Sequence, residues 1–148
     1  MADALAQRME QMVRAYIQGC NDADPETISA CFVPDAIHHT PVNDLGLESL
    51  KSATTIGAGF QRYVHATGKR WTVDQLVTDV GRRLTIMEWT SFNRERDRIT
   101  RGVDWFEFDP QALLIKSVRS FWAMMPDPDV VRIEQLDFDY AARGYPTL

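Results

Sequence analysis

The sequence predicts a single α+β domain in which N-terminal helices pack on an antiparallel sheet. Three observations carry that expectation. Apolar residues recur at helical spacing as far as His65, extended runs separated by turn-like segments fill 71–124, and several of those runs are apolar on both faces. A sheet with one face in water would alternate cleanly, so this one should be covered on both sides.

At 148 residues the chain has the size of one domain and can bury roughly two-thirds of its unfolded surface. Its 45% hydrophobic and 25% charged residues are globular values without the Gly/Pro excess of disorder. A net charge of −5 repels a phosphate backbone, which argues against nucleic acid as a partner. Arg94, Arg96, Arg98 and Arg101 alternate with Glu95 and Asp97 around a polar turn, which reads as a solvated hairpin tip. Cys20 and Cys31 fall on apolar helix faces, as buried free thiols do. No basic region leads into an apolar leader, and no apolar run nears the roughly 18 residues of a membrane span, so the expected location is cytoplasmic, with no membrane partner.

Leu5, Met9, Met12, Val13, Tyr16, Ile17 and Cys20 form one apolar stripe over about four turns, the clearest helix in the chain. Asp24 and Pro25 form an N-cap and first-turn pair that starts a second helix, which carries Ile28, Cys31 and Phe32 inward. Val33-Pro34-Asp35 should end it, and Ala36 to Thr40 should be a short strand before Pro41. His38 and Thr40 then share one face, and His39 points the other way. From about Leu47 to His65, the positions of Leu50, Ala53, Ile56, Phe60, Tyr63 and Val64 suit a third helix, weakened by Gly57 and Gly59.

Extended runs follow at about Trp71 to Thr78, Arg83 to Phe92, Thr100 to Phe108 and Leu113 to Met124, and read as an antiparallel meander. Pro126-Asp127-Pro128 punctuates its end. The tail beyond, with Val130, Ile133, Leu136, Phe138, Tyr140 and Tyr145, is apolar enough that 126–148 should pack as an extension on the domain or on a dimer partner. No repeat or linker divides 1–148.

Arg14-Ala15-Tyr16-Ile17, followed by Asp24, Ile28, Phe32, Asp35-Ala36 and Pro41, looks like the N-terminal pattern of ketosteroid isomerases. Gly102 to Asp109 and Ile115 to Trp122 resemble the last two strands of those enzymes. The chain thus resembles SnoaL-like proteins of the nuclear transport factor 2-like superfamily, which implies a cystatin-like cone of helices packed on a strongly curved sheet around one pocket.

By that resemblance, Tyr16 and Asp104 match the two oxyanion-hole donors, the Asp being of the kind kept neutral by apolar surroundings. The isomerase base falls at Thr40, which cannot accept a proton near neutral pH, and His38 on the same face is the imidazole suited to that work. Trp122 matches the pocket-wall tryptophan of the last strand, and Thr40, Phe60, Phe106 and Met124 complete the expected lining. The limonene-epoxide hydrolases share the fold, but their Arg-x-Asp pair and further Asp fall at Trp89-Thr90-Ser91 and Ser120. A shift of register could bring Glu88 or Arg119 into the pocket, and Glu88 is counted with the expected lining.

Each of these residues also has a structural reading: Tyr16 as a core tyrosine, His38 as a satisfied strand-end histidine, Asp104 as a carboxylate paired with Arg101 or Arg119. His38, His39 and His65 show no metal-ligand spacing, and no cofactor is called for. Two function classes follow. One is a cofactor-free enzyme acting by proton transfer on a small, largely apolar carbonyl or hydroxyl compound, as an isomerase, dehydratase or cyclase. The other is a small-molecule binding protein without turnover, with epoxide-hydrolase-like chemistry behind both. A homodimer pairing through the open face of the sheet is expected, because both strand faces are too apolar for water.

Overall fold

The computed structural model describes residues 2–40, 50–93 and 98–122, together with Asp139 and Ala142. Helix α1 (Ala2–Asp22) buries the predicted stripe through Met9, Val13, Tyr16, Ile17 and Cys20. Helix α2 (Pro25–Ala30) starts where the sequence places it, with the Asp24 carboxylate accepting from the Glu26 and Thr27 amides.

Strand β1 (Phe32–His39) begins four residues earlier than the sequence suggests. Ile115 donates its amide to the Cys31 carbonyl and Phe32 pairs with Ile115, so the strand forms directly at the helix end. Pro34 is accommodated because the pairing slips between Phe32 and Ile37, where a missing N–H costs no ladder bond.

The third helix also differs at its start. Leu50 lies in a short strand β2 (Leu50–Lys51) paired antiparallel with β1, and α3 (Ala53–Thr67) begins only after the Ser52 hydroxyl caps the Thr55 amide. Leu50 is buried, as its apolar character requires, but against Gly59 rather than along the helix. The expected helical residues before it, 47–49, lie outside the described residues, as does the rest of 41–49.

Strands β3 (Arg70–Asp79), β4 (Leu84–Asn93), β5 (Arg98–Phe108) and β6 (Ile115–Trp122) form the predicted antiparallel meander. The described sheet runs β2-β1-β6-β5-β4-β3, and β1 joins β6 in parallel, a pairing that strand patterns alone did not contain. The helices cover one face, where Met87, Trp89, Phe106, Phe108, Ile115 and Val118 join the core of α1. On the other face Val77 and Phe121 are 55% and 57% exposed, and Trp105 is also exposed. No described helix is long and apolar enough to cross a membrane. The hairpin tip at 94–97 lies outside the described residues, as does the tail apart from Asp139 and Ala142.

Helices α2 and α3 meet at Gly57, where an added Cβ would stand 2.5 Å from the Pro25 carbonyl oxygen and also strike Ser29 Oγ. Ser29 ties the two helices by reaching the carbonyls of Pro25 and Ala53. Alanine is the better helix former by about 1 kcal/mol. Gly57→Ala is nonetheless expected to lower stability, by about 1–3 kcal/mol, because the clash falls on backbone that cannot yield. Urea denaturation checks it, and a gain in stability would refute this close approach.

Candidate functional site

Helix α1 sets Tyr16 into the concave face of the sheet, where Phe32, Phe60 and Phe106 meet its ring edge-on at centroid distances of 5.2, 5.8 and 5.8 Å. Such packing leaves the hydroxyl as a polar point in an aromatic cluster. It meets His38 Nε2 at 3.1 Å. His38 comes from β1, where strand alternation buries it and exposes His39. Tyr16 and His38 are only 2% and 1% exposed.

The imidazole does not titrate near 6.5: burial, and then the neighbouring His39, push it down to about 3, so it is neutral at physiological pH. Among the described residues its Nδ1 is buried without a hydrogen-bond partner. An orphaned buried donor is rarer than an under-used acceptor, so the favoured tautomer carries its proton on Nε2 and leaves Nδ1 bare. In that tautomer Nε2–H donates to the Tyr16 oxygen, and the phenolic hydrogen faces the Cys20 thiol, with which Tyr16 also shares a hydrogen bond. Burial, followed by Cys20 and Asp104, raises the Tyr16 pKa well above its ordinary value, so the phenol stays protonated.

Asp104 lies on β5 between Met87 and Ser120 on the flanking strands, and is 6% exposed. The Trp89 indole Nε1–H donates to its Oδ1 at 2.9 Å. That indole fits because Gly102 stands opposite it: a Cβ there would run into the Trp89 ring and come within 2.5 Å of the Phe121 carbonyl oxygen. Burial raises the Asp104 carboxyl from its ordinary 3.8 to about 6, against the lowering effects of Trp89, Ser120 and Lys69. The carboxylate therefore predominates at neutral pH, and the acid form takes over about one unit below it. The alternative pairing with Arg101 or Arg119 does not occur, because Arg101 binds Glu88 and Arg119 binds Glu107, the latter at 3.0 Å.

The structure thus brings Tyr16, His38, Phe60 and Phe106 together, with Asp104 close enough to Tyr16 to act on its ionisation. Trp122 lies beside Trp89, with ring centroids 6.5 Å apart. Thr40 is half-buried just past the end of β1. Glu88 is not brought into this group. Strand alternation gives Met87 and Trp89 the core face and turns Glu88 to the face of Arg101, so its expected place in the lining is corrected. Met124 lies outside the described residues.

Trp89 and Ser120 are the polar contacts of Asp104 that the sequence reading did not assign to a site. A glycine inside an otherwise bulky strand, Gly102, was the available signal. Among the described residues no three His, Cys, Asp or Glu side chains are grouped to hold a metal ion.

Over residues 13–115 the chain matches the SnoaL-like domain family. A crystal structure of a protein of unknown function with a cystatin-like fold, from Methylobium petroleophilum PM1, is 37% identical, covers 97% of this chain and 93% of its own, and superposes with a TM-score of 0.76. A Mycobacterium tuberculosis protein in complex with estradiol-17β-hemisuccinate is 14% identical, covers 79% of this chain and 95% of its own, with a TM-score of 0.67. A computationally designed 17-OHP binder is 18% identical, covers 76% and 91%, and has a TM-score of 0.64. The last two share the fold. No curated protein matches the sequence.

The two buried titrating groups oppose one another in their effect on stability. His38, depressed from 6.5 to about 3, contributes stability above its unfolded value that is lost as pH falls toward about 3. Asp104, raised from 3.8 to about 6, contributes stability below its unfolded value that is lost as pH rises through about 6. Between about pH 6 and about pH 4 these effects nearly cancel, each amounting to about 1.4 kcal/mol per pH unit. Asp104→Asn should therefore make the protein lose about 2–3 kcal/mol more than the parent on acidification across that window. His38→Gln should do the reverse. Parallel stability curves for parent and variants, measured by denaturation at several pH values, would rule out these burial effects.

Proposed function

The chain belongs to the SnoaL-like domain family, and from that premise we propose that it is a cofactor-free enzyme acting by proton transfer on a small, largely apolar carbonyl compound. One observation carries the reading: an acid whose pKa is about 6 and a phenol with a transferable hydrogen bond share a buried aromatic face. A base works best when its pKa lies near the working pH. Asp104 meets that condition, and His38, held near 3, does not.

In this mechanism the Asp104 carboxylate removes a proton from the carbon beside the substrate carbonyl. The C–H electron pair becomes a C=C bond, and the carbonyl pair moves onto oxygen. Tyr16 donates its hydroxyl hydrogen to that oxygen, while His38 Nε2–H holds the phenol from behind and disperses its charge. Asp104 then returns the proton to another carbon, completing an isomerisation. The steroid-like ligands named for two fold neighbours support an apolar compound of that size.

A second reading, in which the pocket binds without turnover, is favoured by Thr40 in the place where the resemblance puts a base. A thermal-shift screen of ketones, enols and hydroxyacyl compounds, followed by turnover assays on the hits, separates the two readings. The enzyme reading expects kcat/KM to rise with pH through about 6, since the base must be ionised. Asp104→Ala should reduce it by about 100-fold or more, and Tyr16→Phe by about 10-fold or more. Hits that bind without turnover across the panel would overturn it.

We further propose that a second copy of the chain covers the open sheet face, where Val77, Trp105 and Phe121 would otherwise leave apolar surface in water. Sedimentation should give a dimer at micromolar concentration and a monomer for Phe121→Lys. A monomeric parent would refute the pairing.

A further inference from the structure

Lys69 lies between the end of α3 and the start of β3, with its amide donating to Thr67 Oγ1 at 3.2 Å. The ammonium sits 5.7, 5.5 and 5.6 Å from the ring centroids of Tyr63, Trp71 and Trp89. Each ring is within the roughly 6 Å reach of a cation–π contact. These rings come from α3, β3 and β4, so the cage exists only in the folded chain. One of them, Trp89, is the indole whose N–H holds the Asp104 carboxyl.

We propose that Lys69 is a positioning residue of the site: its caged ammonium fixes the Trp89 indole against Asp104 and keeps a positive charge beside that carboxylate. A cation on the indole face draws electron density from the ring, which makes its N–H a stronger donor to the carboxylate beyond. The same charge favours the ionised form of Asp104 through space. The described groups acting on Asp104 are Trp89 on β4, Ser120 on β6, Tyr16 and Cys20 on α1, and Lys69. Of these, Lys69 supplies the positive charge, and Tyr16 and Cys20 stay protonated because burial raises both. Lys69 thereby sets the pH range over which Asp104 can act as a base. This role rests on the proposal that Asp104 is the proton-transfer group.

The test is a carbon-13 NMR titration of the Asp104 carboxyl in the full chain, without substrate. Lys69→Met keeps length and packing but removes the charge, and should raise the Asp104 midpoint by about half a pKa unit or more. Lys69→Arg keeps a cation that stacks on aromatic rings, and should hold the midpoint within about 0.2 units of the parent. A purely structural lysine would not show that rescue. The ε-methylene protons of Lys69 in the unsubstituted protein should be shifted upfield by the three rings, a reading that needs no variant. An unmoved midpoint in a folded Lys69→Met protein, or unshifted ε-methylene protons, would overturn the proposal. The titration is independent of turnover, so its failure is distinct from failure of the enzymatic reading.

Discussion

A buried carboxyl group is tolerated only when its charge is spread over hydrogen bonds or removed by a proton, and Asp104 lies between those two conditions. Among the described residues one indole N–H and one serine hydroxyl reach it, and no arginine does. That partial satisfaction is what leaves its pKa at about 6 rather than near 3.8. Much of the neighbouring structure serves this arrangement. Gly102 clears the space for Trp89, and the pairing of β4 with β5 puts the two residues on one face.

Tyr16 and His38 solve a related problem in a different way. Each is a polar group inside an aromatic cluster, and each supplies the other with a partner. Burial keeps the imidazole neutral and the phenol protonated, so neither brings a charge into the core. In the proposed mechanism the pair passes a hydrogen bond to a developing oxyanion without first losing a proton. A neutral imidazole behind the phenol does this at lower desolvation cost than an imidazolium would.

The proposed division of labour between Asp104 and His38 is therefore set by environment and not by residue type. Histidine is the side chain whose ordinary pKa suits acid–base work, and its position beside Thr40 made it the apparent base. Complete burial removes that advantage. The carboxyl, whose ordinary pKa is too low, is carried by the same physical effect into the useful range.

Much of the fold was legible in the sequence because it rests on local periodicity. The apolar stripe of α1 is a repeat of 3.6 residues, the Asp24 cap is a local pair with Pro25, and the four meander strands are extended runs between turn-like segments, so none needs knowledge of distant partners. Boundaries that depend on pairing were not legible: β1 starts at Phe32 because Ile115 reaches Cys31, and Leu50 joins a strand because His38 lies beside it. The candidate site divides along the same line. Tyr16 and Asp104 were marked by the resemblance to ketosteroid isomerases and His38 by sharing a face with Thr40, whereas the contacts of Trp89 and Ser120 with Asp104, the turning away of Glu88 and the cage around Lys69 were decided by the tertiary structure. Sequence by itself determined which side chains face inward. Only the tertiary structure decided which of them meet, and so where their protons lie, because desolvation and hydrogen bonding depend on neighbours that are remote along the chain.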